Sequence, residues 1–387
     1  MNIKEKDQKY IMQTYGRLDV ALVAGKGSTL TDENGKEYID FGSGIAVNTF
    51  GASDTEWVNA VTAQLNAIQH TSNYYYTKPC SDLAELLCTR TGMSKVFFSN
   101  SGAEANECAI KGARKYGTDK NPDKNIIITL KNSFHGRTIT TLSATGQDVF
   151  HKNFTPFTEG FVYAEANNIE ALKALANDNC CAIMFECIQG EGGVLPLTQE
   201  FVDAAVEIAK EHDMLIVVDE VQTGNGRTGK LYAHEHYGIK PDIFSTAKGL
   251  AGGLPMGATL FSEKVKDIFP AGSHGSTFGG NPIAAAGAVN VLSRLDDAFL
   301  KTVEENSEYL WSKLREIKGV KSVCGKGYMI GIETEADAKE ILKKALENGL
   351  LVLTAKDKVR LLPPLNITKE ELDKGIEILK SVIESIM

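Results

Sequence analysis

The rhythm of apolar and polar residues changes twice along this chain. Residues 1–17 are mostly polar. Val20-Ala21-Leu22-Val23 follows, with a turn at Gly25-Lys26-Gly27. Thr29–Asp32 and Lys36–Phe41 then flank Asn34-Gly35, which predicts a hairpin closed by a type I′ turn. From Asp54 onward Trp57, Val58, Val61, Leu65 and Ile68 recur at helical spacing. Near residue 94 the pattern shifts to short β-rich runs alternating with helices. The candidate strands are Val96–Ser99, Ile126–Leu130, Ala182–Glu186, Leu215–Asp219, Ile243–Ala247 and Ala258–Phe261, and the clearest helices are Ala103–Tyr116 and Gln199–His212. This alternation predicts an α/β fold, a mostly parallel sheet with helices on both faces. After Asn281-Pro282 an Ala-rich helical stretch leads into a smaller α+β unit. Its last helix opens with Thr368 and Glu371 in capping-box spacing and keeps Leu372, Ile376, Leu379, Ile383 and Ile386 on one face. The expected division is an N-terminal segment, 1–50, packing with the small domain, a large domain, 51–282, and a small C-terminal domain, 283–387.

Composition narrows the function classes. A chain of 387 residues with a net charge of −9 and no Lys/Arg run does not suit nucleic acid or an anionic membrane. Seven cysteines lie scattered, with no C-x-x-C pair to suggest zinc or a redox motif, so no metal is expected. With no signal-peptide pattern and no membrane-length apolar run, the expected setting is the cytoplasm, with reduced thiols.

The candidate chemistry centres on Leu215–Pro255. A buried-type strand, Leu215–Val218, runs into two acids, Asp219 and Glu220, and twenty-nine residues after Asp219 comes Lys248, at a segment that breaks into glycines. A carboxylate at a strand end and a lysine at a Gly-rich turn meet the needs of pyridoxal phosphate. The acid keeps the pyridine nitrogen protonated, and the amine condenses with the aldehyde. The plainer readings are a turn-capping Asp219 and a surface lysine. Between them Gly224–Gly229 matches G-x-G-x-x-G, but no apolar helical face follows and the next acid, Asp242, precedes a strand instead of ending one. A nicotinamide site is therefore disfavoured.

Three further segments fall at compatible places. Ser99–Asn106 joins a strand to a helix through small residues, so Ser101 and Gly102 mark a helix N-terminus suited to a phosphate; taken alone it is an ordinary capped helix. In Ser133–Thr138, Phe134 offers a ring to stack on a flat group and Arg137 a fork for a carboxylate, while His135 reads as structural. Glu186 ends a strand ahead of the flexible turn Gln189–Gly193, and Arg360 lies between apolar residues, where a partner is needed.

In this order NSGAEAN, SFHGRT, QGEGGV, DEVQTGNGRTG, AKGLAGGLPMGA and HGSTFGGNP resemble the class III pyridoxal-phosphate-dependent aminotransferases, of fold type I, across nearly the whole chain. The resemblance implies that Lys248 carries the cofactor and shuttles a proton, and that Asp219 pairs with the ring nitrogen. Glu220 is grouped with the cofactor residues. Val221 and Phe134 cover the ring faces, Gln222 bonds the phenolic oxygen, and Ser101, Gly102 and Ala103 hold the phosphate. Thr277, with Ser276 beside it as a substrate-side residue, reaches the site from a neighbouring subunit of a homodimer. Arg137 anchors a distal carboxylate, Arg360 the α-carboxylate of glutamate, and Glu191 switches onto Arg360 when an ω-amino donor binds. The implied donor is N-acetylornithine, with ornithine, succinylornithine, succinyl-diaminopimelate and 4-aminobutyrate as alternatives, and the acceptor is 2-oxoglutarate. Two stretches depart from the family pattern: Gly51-Ala52-Ser53-Asp54-Thr55 stands where a Gly-His-x-His-Pro-like run is usual, and Cys187 where proline usually follows the strand-end Glu.

Overall fold

The computed structural model describes residues 1–386. Its central sheet has seven strands: β1 (Lys95–Ser99), β2 (Ile126–Leu130), β3 (Phe161–Ala164), β4 (Cys180–Phe185), β5 (Leu215–Asp219), β6 (Ile243–Thr246) and β7 (Gly257–Phe261), in the order β1-β7-β6-β5-β4-β2-β3. Only β7 runs against its neighbours; every other pair is parallel. The central strands β4 to β7 are buried along their whole length, which explains the continuous apolar runs of β4 and of β5 up to Val218. All six expected strands are present. The seventh, β3, is a half-buried edge strand, Phe161-Val162-Tyr163-Ala164, which is not among the expected strands although its four residues are apolar.

Helix Gly102–Thr118 lies on the sheet through small residues. A Cβ at Gly112 would sit 3.1 Å from Phe261 and 3.2 Å from Ile243, so the helix approaches β6 and β7 closely. That contact aims the N-terminus of the helix at the carboxyl ends of the parallel strands.

Two local expectations are corrected near the N-terminus. The first strand runs Leu22–Lys26, straight through Gly25, and the chain reverses at Gly27. The second hairpin forms, but its turn is not type I′. Only Gly35 has positive φ (+82°), because the Asp32 carboxylate accepts the amides of Asn34 and Lys36, both at 2.9 Å, and sets a three-residue loop. The atypical stretch after Gly51 is a structural junction: Ala52 bridges to Gly27, and Asp54 caps helix Thr55–Ala67 and pairs with Arg294 at 2.5 Å.

Beyond helices Pro282–Arg294 and Asp297–Arg315, four antiparallel strands (Val320–Lys326, Met329–Thr334, Lys358–Leu361 and Leu353–Ala355) carry helices on one side. The capping box of the last helix, Lys369–Ile386, closes as expected: Thr368 N donates to Glu371 at 2.9 Å and Glu371 N to the Thr368 hydroxyl at 3.2 Å. The N-terminal segment joins this unit, since Glu37–Asp40 pairs with Leu350–Leu351 and Phe41 packs on Gly375 of the last helix.

A methyl group at Gly375 would fall on the Phe41 ring. Gly375→Ala is expected to cost about 1–3 kcal/mol of stability, read as a lowered denaturant midpoint. An unchanged midpoint would mean that the ring yields freely.

Candidate active site

A cavity of about 420 Å³ opens beyond the carboxyl ends of the parallel strands, lined by Ser101, Gly102, Ala103, Phe134, Arg137, Glu186, Glu191, Asp219, Val221, Gln222 and Lys248 among others. This is where an open α/β sheet places its ligands. Lys248 follows β6 with φ +47° and begins a short 3₁₀ turn. Asn225 holds the near side of that turn through Thr246 Oγ1 (3.0 Å) and the Ala247 carbonyl (3.1 Å), and Thr49 holds the far side by donating to the Gly249 carbonyl (2.8 Å). Among the described residues the Lys248 amine has no ion-pair partner. Enclosure in the cavity wall, helped by the nearby Arg360 charge and opposed by Glu191, Asp219 and Glu186, pushes its pKa down to about 8.

Asp219 is buried and surrounded by donors. Asn106 Nδ2 (2.7 Å) and His135 Nδ1 (2.8 Å) reach one oxygen, and the Val221 amide (3.0 Å) reaches the other. Asn106 is itself fixed by Ser245, whose hydroxyl donates to its oxygen at 2.6 Å. Burial alone would lower the His135 pKa, but the hydrogen bond to Asp219 and its charge raise it above the ordinary value. Neither Asn106 nor this role of His135 was read from the sequence. The only hint was that both lie inside motifs already singled out. Glu186, also buried, accepts the amides of Phe134 (3.0 Å) and Gly190 (3.2 Å); burial and the neighbouring Asp219 charge raise its pKa.

At the opposite wall Ser101 caps helix Gly102–Thr118 by accepting the Glu104 amide at 3.1 Å. The amides of Gly102 and Ala103 have no partner among the described residues. A Cβ at Gly102 would lie 2.6 Å from Val221, so only glycine leaves this cradle open.

Glu220 is a correction to the expected set. Strand residues alternate in direction, so with Asp219 facing the cavity its neighbour faces away. The Glu220 carboxylate is fully buried and accepts from Thr223, from the His234 amide (2.8 Å) and from its ring (3.0 Å). Gly224–Gly229 is a packed junction: Arg227, buried, donates to the carbonyls of Tyr328 and Pro363. Ser276 and Thr277 do not line the cavity of their own chain. Ser276 accepts from Asn100 at 3.1 Å, and Thr277 is exposed.

Two arginines complete the site. Arg360, almost fully buried, pairs with Glu191 at 2.6 Å, and the Gln222 amide joins both. Burial raises the Glu191 pKa, but the Arg360 guanidinium outweighs it and holds the carboxyl below its ordinary range. Arg137, exposed at the cavity, lies over the rings of Phe134 and Phe150. The chain enters the cavity at Val47 from a left-handed turn in which Ser43, Gly44, Ile45 and Ala46 have φ between +43° and +66°.

A family model for class III aminotransferases matches residues 10–383, and the chain belongs to that family. It is a pyridoxal-phosphate-dependent aminotransferase of fold type I. The acetylornithine aminotransferase of Haemophilus ducreyi is 47% identical over 99% of both chains, and that of Aquifex aeolicus 46% over 97% of this chain and all of its own. Among solved structures, the N-acetylornithine aminotransferase of Stenotrophomonas maltophilia K279a superposes with a TM-score of 0.85 at 36% identity over 98% of each chain. The ornithine aminotransferase of Toxoplasma gondii superposes at 0.94 and 32% identity over 99% of this chain and 94% of its own.

The residues fit the cofactor. The Gly102 cradle presents two free amides, the Lys248 amine is unpaired, and Asp219 offers a carboxylate whose donors leave it aimed at the cavity. With its amine near pKa 8, the cofactor-free protein should capture pyridoxal phosphate at a rate that rises with pH and levels off above about 8. Stopped-flow absorbance tests this; a rise continuing toward pH 10 would show an ordinary, solvated lysine.

Proposed function

We propose that the chain moves the δ-amino group of N-acetyl-L-ornithine to 2-oxoglutarate, giving N-acetyl-L-glutamate 5-semialdehyde and L-glutamate, a step of arginine biosynthesis. The observation that carries this reading is the Glu191–Arg360 pair beside an unpaired Arg137. With Arg360 occupied by Glu191, one carboxylate anchor is open, which suits a donor whose carboxylate lies far from its reacting amine. A substrate such as glutamate, carboxylated at both ends, needs both anchors. The relatives named for acetylornithine share more sequence with this chain than the ornithine aminotransferase does, although the latter overlaps more closely in backbone.

In this reading the bound cofactor supplies an aldehyde to take up the amino group and a ring that draws electrons from the substrate carbon. The chain supplies the rest. Lys248 Nζ takes a proton from the donor's δ-carbon and later returns one. Asp219, held by His135 and Asn106, keeps its charge at the ring nitrogen. Val221 and Phe134 hold the ring between them, and the amides of Gly102 and Ala103 bind the phosphate. Arg137 grips the donor's carboxylate. Glu191 releases Arg360 when 2-oxoglutarate arrives, so that neither the buried cation nor its partner is stranded.

The same proposal includes a homodimer. Helix Thr55–Ala67 has no fully buried side chain, Leu65, Tyr74, Tyr75, Tyr76 and Phe278 stand more than half exposed, and Asn73 donates to the Ser276 carbonyl at 2.9 Å beside Thr277; such exposed apolar groups suit a partner. It also places the body formed by residues 1–50 and the C-terminal unit against the large one. Gly287 of helix Pro282–Arg294 packs on Trp57 and the Ala251 carbonyl, so in this reading that helix goes with the large body. A cytoplasmic location belongs to this reading: all seven cysteines are free, and no helix among the described residues is long and apolar enough to cross a membrane.

A donor panel of acetylornithine, ornithine, succinylornithine and 4-aminobutyrate, compared by kcat/KM, should rank acetylornithine first; a clear win for ornithine or 4-aminobutyrate would replace the substrate assignment. In a second assay Glu191→Ala should raise kcat/KM for glutamate relative to acetylornithine by about tenfold or more, the loss of one charge-assisted contact. An unchanged ratio would remove the switch.

A further inference from the structure

We propose that Phe150 is a positioning residue for substrate carboxylates: it fixes the Arg137 guanidinium through its ring face and leaves the N–H edges free. The proposal rests on the reading of Arg137 as carboxylate anchor. Arg137 lines the cavity, yet among the described residues it has neither an ion pair nor a hydrogen bond. Its guanidinium carbon lies 4.2 Å from the centroid of Phe150 and 5.4 Å from that of Phe134, and the two rings meet edge to face at 5.7 Å. Phe150 does not line the cavity itself, so its contact with substrate runs through Arg137.

The placement is built in. Phe150 ends a 3₁₀ turn, Asp148–Phe150, whose first neighbour Gln147 is buried and donates to the carbonyls of Asn132 (3.2 Å) and Ser133 (3.1 Å). The turn is thereby pinned to the loop that carries Phe134 and Arg137. An aromatic face attracts a guanidinium electrostatically but uses none of its in-plane donors. A carboxylate in the same place would satisfy those donors and compete with substrate. The two anchors of the site differ accordingly. Arg360, needed in one half of the cycle, is masked by a removable acid. Arg137, needed in both halves, is held by rings that never have to leave.

The test uses the cofactor-loaded full chain with F150A, F150L, F150Y, R137A and the double variant. F150A and F150L should raise KM for both acetylornithine and 2-oxoglutarate about three- to tenfold with kcat within about twofold, leaving the ratio of the two substrates unchanged. Calorimetric affinity for N-acetyl-L-norvaline, which has the carboxylate but no δ-amine, should fall by the same factor. F150Y should behave as the parent, kcat/KM for N-acetylputrescine, which lacks the carboxylate, should not move, and F150A should add nothing on top of R137A. The proposal is overturned if R137A raises KM while F150A does not, if F150L restores the parent values, or if the F150A penalty persists without Arg137. Should R137A itself leave KM for acetylornithine unchanged, the anchor reading fails and the proposal falls with it.

Discussion

Burying the Asp219 carboxylate at the end of a fully enclosed strand costs several kcal/mol unless donors surround it, and its donors arrive from separate segments. Asn106 comes from helix Gly102–Thr118, His135 from the loop after β2, and the Val221 amide from the chain just beyond β5. Satisfying one charge therefore fixes the register of three elements. The helix that supplies Asn106 presents its first amides to the same cavity, and the loop that supplies His135 carries Phe134 and Arg137. Ser245, on β6, holds Asn106 in turn, three residues before Lys248. Asp219, Asn106, His135 and Ser245 thus form one hydrogen-bonded group beside the cavity.

The arginines show how a protein keeps a cation ready without satisfying it. Arg360 is nearly sealed from solvent, so an acid accompanies it, and in the proposed function that acid is displaced when a second carboxylate binds. Arg137, exposed, needs only a surface that orients it. Electrostatic readiness is thus obtained by a labile partner where burial is deep and by apolar packing where it is shallow.

Much of this was legible in the chain. Strands β4 and β5 announce themselves because burial on both faces favours continuous apolar runs; Asp219 stands out as an acid at the end of one, and Lys248 as a lysine where the chain breaks into glycines. Glu220 was misassigned although strand alternation was enough to turn it away. The hairpin turn was misread because Asp32, before the Asn-Gly pair, captures the amides that would otherwise be free to adopt the mirror-image turn. Strand β3 was passed over although Phe161–Ala164 are all apolar; it is only four residues long and half-exposed at the sheet edge. Phe150 and Asn225 act through contacts across the fold, from irregular segments with no periodicity to betray them, and His135 carries no local sign of which acid it will meet.

The left-handed turn at Ser43–Ala46 has a mechanical consequence. A non-glycine residue held there stores about 1–2 kcal/mol, and Ser43, Ile45 and Ala46 are all so held. The turn is pinned at one end by Ser43 donating to the Leu362 carbonyl at 2.6 Å, and at the other by Thr49 reaching Gly249, next to Lys248. It spans from Leu362 to the turn that begins at Lys248, with Val47 between the two ties and in the cavity lining. The strain is therefore held by two hydrogen bonds, one to Leu362 and one beside Lys248, and it falls on the segment that brings Val47 to the cavity wall.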